Sequence, residues 1–213
     1  KKKPKEKPGQ YWQVQRLHQN QTIVILGSGP SITQSQVNLC QNEIVISINN
    51  CFLLAPWSRY HYFCDKKWYS WWKDDARFKD YKGIRISHDV SENGILRVKG
   101  RSSPGLSDDP SIIHTGSNSG FQSLNIAYLM GAKRIILLGY DMKISPNGRA
   151  HWFGDHPDNV RSNYAGWLTN YSIAADQLNK QNVEVINCSQ ESALQCFQKM
   201  SLESALSLEQ VRA

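Results

Sequence analysis

The segment His151-Trp152-Phe153-Gly154-Asp155-His156-Pro157 places two imidazoles and a carboxylate within six residues. An imidazole titrates near neutral pH, so His151 or His156 is suited to take a proton from a hydroxyl, with Asp155 in the same catalytic set. These side chains also ligate metals. Their spacing is not that of a helical HExxH site, and Gly154 and Pro157 place them in a loop. A general base is therefore the preferred reading, and no metal site is expected. Asp141 follows Leu138-Gly139-Tyr140 directly. It is suited to binding a metal, orienting a histidine or capping a helix, and the sequence leaves these three open.

Two turns rich in glycine and serine supply a second kind of chemistry. Ile23-Val24-Ile25-Leu26 runs into Gly27-Ser28-Gly29-Pro30-Ser31, and Thr115-Gly116-Ser117-Asn118-Ser119-Gly120 runs into an apolar helix. A helix N-terminus presents unpaired N–H groups and partial positive charge, which favour phosphate or carboxylate. Gly27, Ser28, Gly29, Ser31, Ser117, Asn118, Ser119 and Gly120 are thus the expected anion- and nucleotide-binding set. The first turn lacks the third glycine of a dinucleotide fingerprint, since Ile32 stands there, and no Gly-Lys-Ser/Thr follows for a Walker loop. Asn49 and Asp65 each follow an apolar run and join the set as short side chains able to read a base or sugar edge. Asp141 completes it.

These residues need a scaffold that brings strand ends together. Thr22–Leu26, Ile44–Ile48, Tyr60–Phe63, Arg134–Leu138 and Val183–Ile186 read as strands, with a shorter one at Lys82–Ser87. Pro30 suits the first turn of a helix after the first strand. Further helices are expected over Lys66–Lys73, Ser119–Met130, Asp158–Lys180 and Leu202–Val211, the third from apolar positions Val160, Tyr164, Trp167, Leu168, Tyr171, Ala174, Ala175 and Leu178. Residues 89–110, full of Gly, Ser, Asp and Pro, read as a long loop. Trp68, Tyr69, Trp71 and Trp72 read first as core packing, with stacking on a sugar or base as the second role. Alternating strands and helices imply an α/β fold: one Rossmann-like, doubly wound, mostly parallel sheet with helices on both faces. Ligands of such sheets lie beyond the carboxyl ends of the strands, where Gly27, Asn49, Asp65 and Asp141 all fall. The expected organisation is a basic flexible arm over 1–20, a nucleotide-binding domain over 21–190 and a helical extension over 191–213.

The 213 residues carry 25 Lys and Arg against 18 Asp and Glu, a formal charge of +7. Five of the lysines lie within the first seven residues, so the excess belongs largely to a Lys/Pro tail and says little about the domain. Cys40, Cys51, Cys64, Cys188 and Cys196 form no CxxC pair. Cys51, Cys64 and Cys188, in or beside apolar runs, read as small buried hydrophobes, and the set implies a reducing, cytoplasmic setting. No apolar run approaches the roughly 20 residues of a spanning helix.

The order of these motifs, with Gly131-Ala132-Lys133-Arg134-Ile135-Ile136-Leu137-Leu138-Gly139-Tyr140-Asp141 closing the series, resembles the bacterial sialyltransferases of glycosyltransferase family 42 over about 22–187. Short phage and bacterial proteins of unassigned role look similar as well. The resemblance implies a nucleotide-sugar donor, CMP-linked in that family, with no required cofactor. It implies that Gly27, Ser28, Gly29 and Asn49 hold the nucleotide, that Ser119 and Gly120 sit near the donor phosphate or carboxylate, and that His151 or His156 deprotonates the acceptor. Asp65 stands where that family has an amide. The acceptor stays open between a glycan and nucleic acid, as does homo-oligomerisation. The Gly-Ser-Gly-Pro-Ser start and the Leu-Gly-x-Asp ending also resemble 6-hydroxymethylpterin diphosphokinases, which would imply ATP with magnesium held by Asp65 or Asp141. The remaining alternative is a non-catalytic nucleotide- or nucleic-acid-binding module.

Overall fold

The computed structural model describes residues 10–154 and 162–210. In chain order the elements are β1 (Thr22–Leu26), α1 (Gln34–Leu39), β2 (Ile44–Ile48), a 3-10 turn (Asn49–Leu53), β3 (Tyr60–Phe63), α2 (Lys66–Trp72), α3 (Ala76–Lys79), β4 (Ile84–Ser87), β5 (Ile95–Arg97), β6 (Lys99–Arg101), β7 (Ile112–His114), α4 (Ser119–Leu129), β8 (Arg134–Leu138), α5 (Tyr164–Lys180), β9 (Glu184–Asn187), β10 (Gln198–Lys199) and α6 (Leu202–Gln210).

Eight strands form one sheet in the order β10-β9-β8-β1-β2-β3-β4-β5, and β6 pairs with β7 apart from it. Every strand pair in the two sheets is parallel. The chain leaves β1 for β2 on one side, and β8 later docks on the other side of β1. The strand order therefore reverses at the β1–β8 seam, and a crevice must open there at the carboxyl ends.

β-Branched runs suit these central strands because both of their faces are covered. Successive side chains point to opposite faces. Ile23 and Ile25 join Ile46, Ile135 and Leu137 under α4 and α5 in the larger core. Val24 and Leu26 join Val45, Ile136 and Leu138 on the opposite face, against Val37 of α1 and Leu202 and Ala205 of α6. Phe52, Phe63, Trp68, Phe78 and Tyr81 form a third, aromatic cluster beyond β3. The Trp68 indole N–H donates to Asn50 Oδ1 at 2.8 Å, and Tyr69, Trp71 and Trp72 pack around the same cluster. The tryptophan-rich segment is thus core packing.

Three expectations about elements change. The first helix does not begin at Pro30. It begins at Gln34, because Thr33 and Gln36 close a capping box: Thr33 Oγ1 accepts from Gln36 N at 3.3 Å and Gln36 Oε1 accepts from Thr33 N at 3.0 Å. The stretch 89–110 is not all loop, since it supplies β5 and β6. The helix expected from Asp158 is described from Tyr164, where Asn163 caps it by accepting from Gly166 N; 155–161 lie outside the described residues. In the N-terminal arm, Trp12 N donates to Arg97 O and Val14 N to Pro110 O. Both side chains are buried in the larger core, while 1–9 lie outside the described residues.

Candidate functional site

The crevice at the β1–β8 seam is a cleft of about 250 Å³ lined from the ends of β1, β2 and β8, the starts of α4 and α5, and the segment that follows β8. Its floor is a backbone zipper. Gly27 N donates to Leu138 O at 2.7 Å and Gly29 N to Gly139 O at 2.8 Å, so the parallel pairing of β1 and β8 continues past both strand ends. A Cβ on Gly139, where φ is +73°, would lie 2.3 Å from Gly27 O, and a Cβ on Gly27 would lie 2.7 Å from Gly139 O. The two glycines are required by each other's carbonyls. From below, the Cys51 thiol donates to Gly27 O at 3.2 Å. Burial pushes that thiol up to about 12, so it stays a neutral donor.

The second bend approaches from the other wall. Gly116 and Ser117 both take positive φ, +49° and +53°. Asn118 then caps α4 by accepting from Phe121 N at 2.9 Å. Tyr171 Oη donates to the same Asn118 oxygen at 3.1 Å, and Tyr140 Oη donates to Gly120 O at 3.1 Å. The first N–H groups of the helix, on Ser119 and Gly120, have no carbonyl one turn earlier to bond, and both residues line the cleft. This helix end lines the same space as Gly27–Gly29.

Asn49 lines the cleft in a left-handed conformation, φ +48°. Its Oδ1 is buried without a hydrogen-bond partner. Buried acceptors are rarely left in this state, because the lost hydration costs about 1–3 kcal/mol. His151 also lines the cleft, its ring stacked on Phe153 at 5.1 Å between centroids. Trp152 N donates to Ser28 O at 3.2 Å and ties this segment to the first bend. Asp155 and His156 lie outside the described residues.

Gly27, Ser28, Gly29, Asn49, Ser117, Asn118, Ser119, Gly120, Asp141 and His151 therefore share one cleft. Ser31 and Asp65 are placed differently. The Ser31 hydroxyl donates to Asp141 Oδ2 at 2.9 Å, with Ser31 N on the same oxygen at 3.4 Å. It acts on the cleft through that carboxylate. Burial pushes the Asp141 carboxyl up, opposed by the two Ser31 donors and by Lys143. Asp65 caps α2 by accepting from Trp68 N at 2.7 Å, and it is not among the lining residues.

Sequence reading did not single out Tyr140, Met142, Lys143, Tyr164 or Trp167, which also line the cleft. Tyr164 and Trp167 fit the helical periodicity of α5 and so read as core. Their position in the first turn of that helix, just after a Gly- and Pro-containing loop, was the available signal. Lys143 brings a cation to the mouth.

No family model matches the chain, and no curated protein matches it. Among solved structures, the chain is similar to the sialyltransferase CstII from Campylobacter jejuni, determined in complex with a substrate analogue, cytidine-5'-monophosphate. The TM-score is 0.52 with 12% identity over 86% of each chain. The likeness is one of fold: the chain shares the α/β architecture of that sialyltransferase.

Proposed function

We propose that the chain is a nucleotide-sugar-dependent glycosyltransferase of sialyltransferase type, inverting at the anomeric carbon, with a histidine as general base. The observation that carries this reading is the convergence of both Gly/Ser bends, the unpartnered Asn49 oxygen and His151 on one cleft. The comparison structure was determined with a cytidine nucleotide, which makes a CMP-linked sugar the donor of choice. In this reading Asn49 Oδ1 accepts from an N–H or O–H of the nucleotide. The α4 N-terminus and Lys143 receive the anionic part of the donor. The acceptor hydroxyl attacks the anomeric carbon as the bond to the phosphate oxygen breaks. The nucleotide leaves with the electron pair, and the hydroxyl proton passes to His151 or, from the adjoining segment, His156. A glycan is the favoured acceptor, with nucleic acid the other class to be assayed.

Thermal melts with CMP, UDP, GDP, ADP and ATP, each with and without magnesium, test the reading. CMP at 100 times its dissociation constant should add about 2.7 kcal/mol, equivalent to roughly 5–11 °C for a domain of this size, and should do so without metal. Stabilisation by ATP with magnesium and none by CMP would instead support the diphosphokinase alternative. If His151→Ala and His156→Ala each kept the full transfer rate with a CMP-sugar, the base would have to be sought elsewhere.

A further inference from the structure

Outside the cleft, the ends of β3 and β4 bring together three side chains whose chemistry nothing so far has used. Cys64 follows β3, and His88 and Asp89 follow β4. One ligand atom from each, the thiol sulfur, an imidazole nitrogen and a carboxylate oxygen, lies within 4.8 Å of the other two. Backbone bonds hold the two strand ends in register. Asp89 N donates to Cys64 O at 3.0 Å, and the Ser87 hydroxyl donates to the same oxygen at 3.3 Å. The His88 ring is fixed as well: a Cβ on Gly100 would lie 1.9 Å from its Nε2. That edge of the ring packs on β6, while Nδ1 faces Asp89.

The His88–Asp89 approach is not an ordinary hydrogen bond. Asp89 Oδ1 lies 2.5 Å from His88 Nδ1, yet Nδ1 is buried without a partner in hydrogen-bonding geometry. The oxygen is off the N–H direction. A ring nitrogen and a carboxylate oxygen thus converge without a proton properly placed between them, and a cysteine sulfur stands beside both. A cation would have to part these two atoms slightly; what favours one is a buried imidazole nitrogen with no hydrogen-bond partner and three zinc-type ligand atoms within reach of one another.

We propose that Cys64, His88 and Asp89 form a zinc-type divalent metal site that clamps the end of β3 to the start of the 89–110 excursion. A thiolate with an imidazole favours zinc over magnesium or calcium, which take oxygen ligands. Three protein ligands leave the fourth tetrahedral position to water. Bond lengths of about 2.0–2.3 Å set ligand atoms roughly 3.3–3.7 Å apart in a tetrahedron. The Cys64 sulfur therefore needs to close by no more than about 1.5 Å, within reach of side-chain rotation, while His88 Nδ1 and Asp89 Oδ1, 2.5 Å apart, must part by about 0.8 Å. Binding displaces the Cys64 proton to solvent, so affinity rises with pH. The site was invisible as a spacing motif because its ligands come from two strands paired through the fold.

Cobalt(II) is the probe. Titrated into the full chain stripped with chelator, it should give a thiolate-to-cobalt charge-transfer band and the intense visible bands of a four-coordinate ion, saturating at one ion per chain. Zinc should displace it. Cys64→Ser should abolish the charge-transfer band, and Asp89→Asn, nearly isosteric, should weaken binding at least tenfold. Cys196→Ser should leave the spectrum unchanged. Absence of the charge-transfer band in the wild-type chain, or its survival in Cys64→Ser, overturns the proposal. Because the readout needs no nucleotide, it stands or falls separately from the transferase reading.

Discussion

Replacing Gly139 by alanine probes the floor of the cleft directly, with Gly148→Ala as its control. Both glycines hold positive φ, +73° and +80°. An added Cβ at either position therefore incurs the left-handed penalty of about 1–2 kcal/mol. At Gly148 nothing else lies within 4 Å, so that strain is the whole expected cost. At Gly139 the Cβ would sit 2.3 Å from Gly27 O and 3.0 Å from its carbonyl carbon. Neither neighbour is a flexible side-chain end, so the strand ends must part by roughly 1 Å. Overpacking of this kind costs about 1–3 kcal/mol. Parting also weakens the Gly27–Leu138 and Gly29–Gly139 hydrogen bonds, at about 1 kcal/mol each. The sum for Gly139→Ala is about 4–7 kcal/mol, a large share of the roughly 5–15 kcal/mol that holds a domain folded. Urea unfolding followed by far-UV circular dichroism should separate the two variants by at least about 2 kcal/mol. Equal destabilisation would mean that the β1–β8 zipper is not tight, and the geometry described for the floor of the cleft would fail with it.

Asn49→Gly keeps the left-handed backbone while deleting the amide. It should weaken CMP binding about tenfold or more by calorimetry, with stability changed by less than about 1 kcal/mol; unaltered affinity would remove Asn49 from the recognition set. His61 is fully buried among Phe52, Phe63, Trp68, Phe78 and Tyr81, with Nδ1 3.1 Å from the Ser47 hydroxyl. Burial lowers its pKa to about 3 from 6.5. The unfolded chain thus binds the proton that the folded chain refuses. The stabilising effect of a neutral His61 is whole above about pH 6.5 and fades toward pH 3, by up to about 1.4 kcal/mol per unit. His61→Phe should flatten that part of the pH–stability curve, and an unchanged slope would show that other groups set it.

The sequence by itself determined most of the scaffold. β1, β2, β3 and β8 occupy the residues expected of them, because short runs rich in β-branched or aromatic residues and followed by Gly, Asn or Asp suit strands covered on both faces. It also placed small and polar residues at the strand ends, which is why ten of the residues singled out share the cleft. Local chemistry misled where a competing partner lay close by. Pro30 looked like a helix start until Thr33 and Gln36 satisfied each other's N–H groups three residues on. Asp65 looked like a ligand-reading group, but its carboxylate is held by the Trp68 N–H.

Only the tertiary structure decided what depends on pairing between distant segments. Ser31 meets Asp141 across 110 positions. Tyr164 and Trp167 line the cleft because α5 begins there, Trp167 packing on the larger core as its helical periodicity implies. Cys64 reaches His88 and Asp89 through the register of β3 and β4. Strand and helix propensities act over a few residues, so they mark where elements begin and end. The side chains that share a cavity are set by sheet order and by the reversal at β1, which no local window of sequence contains.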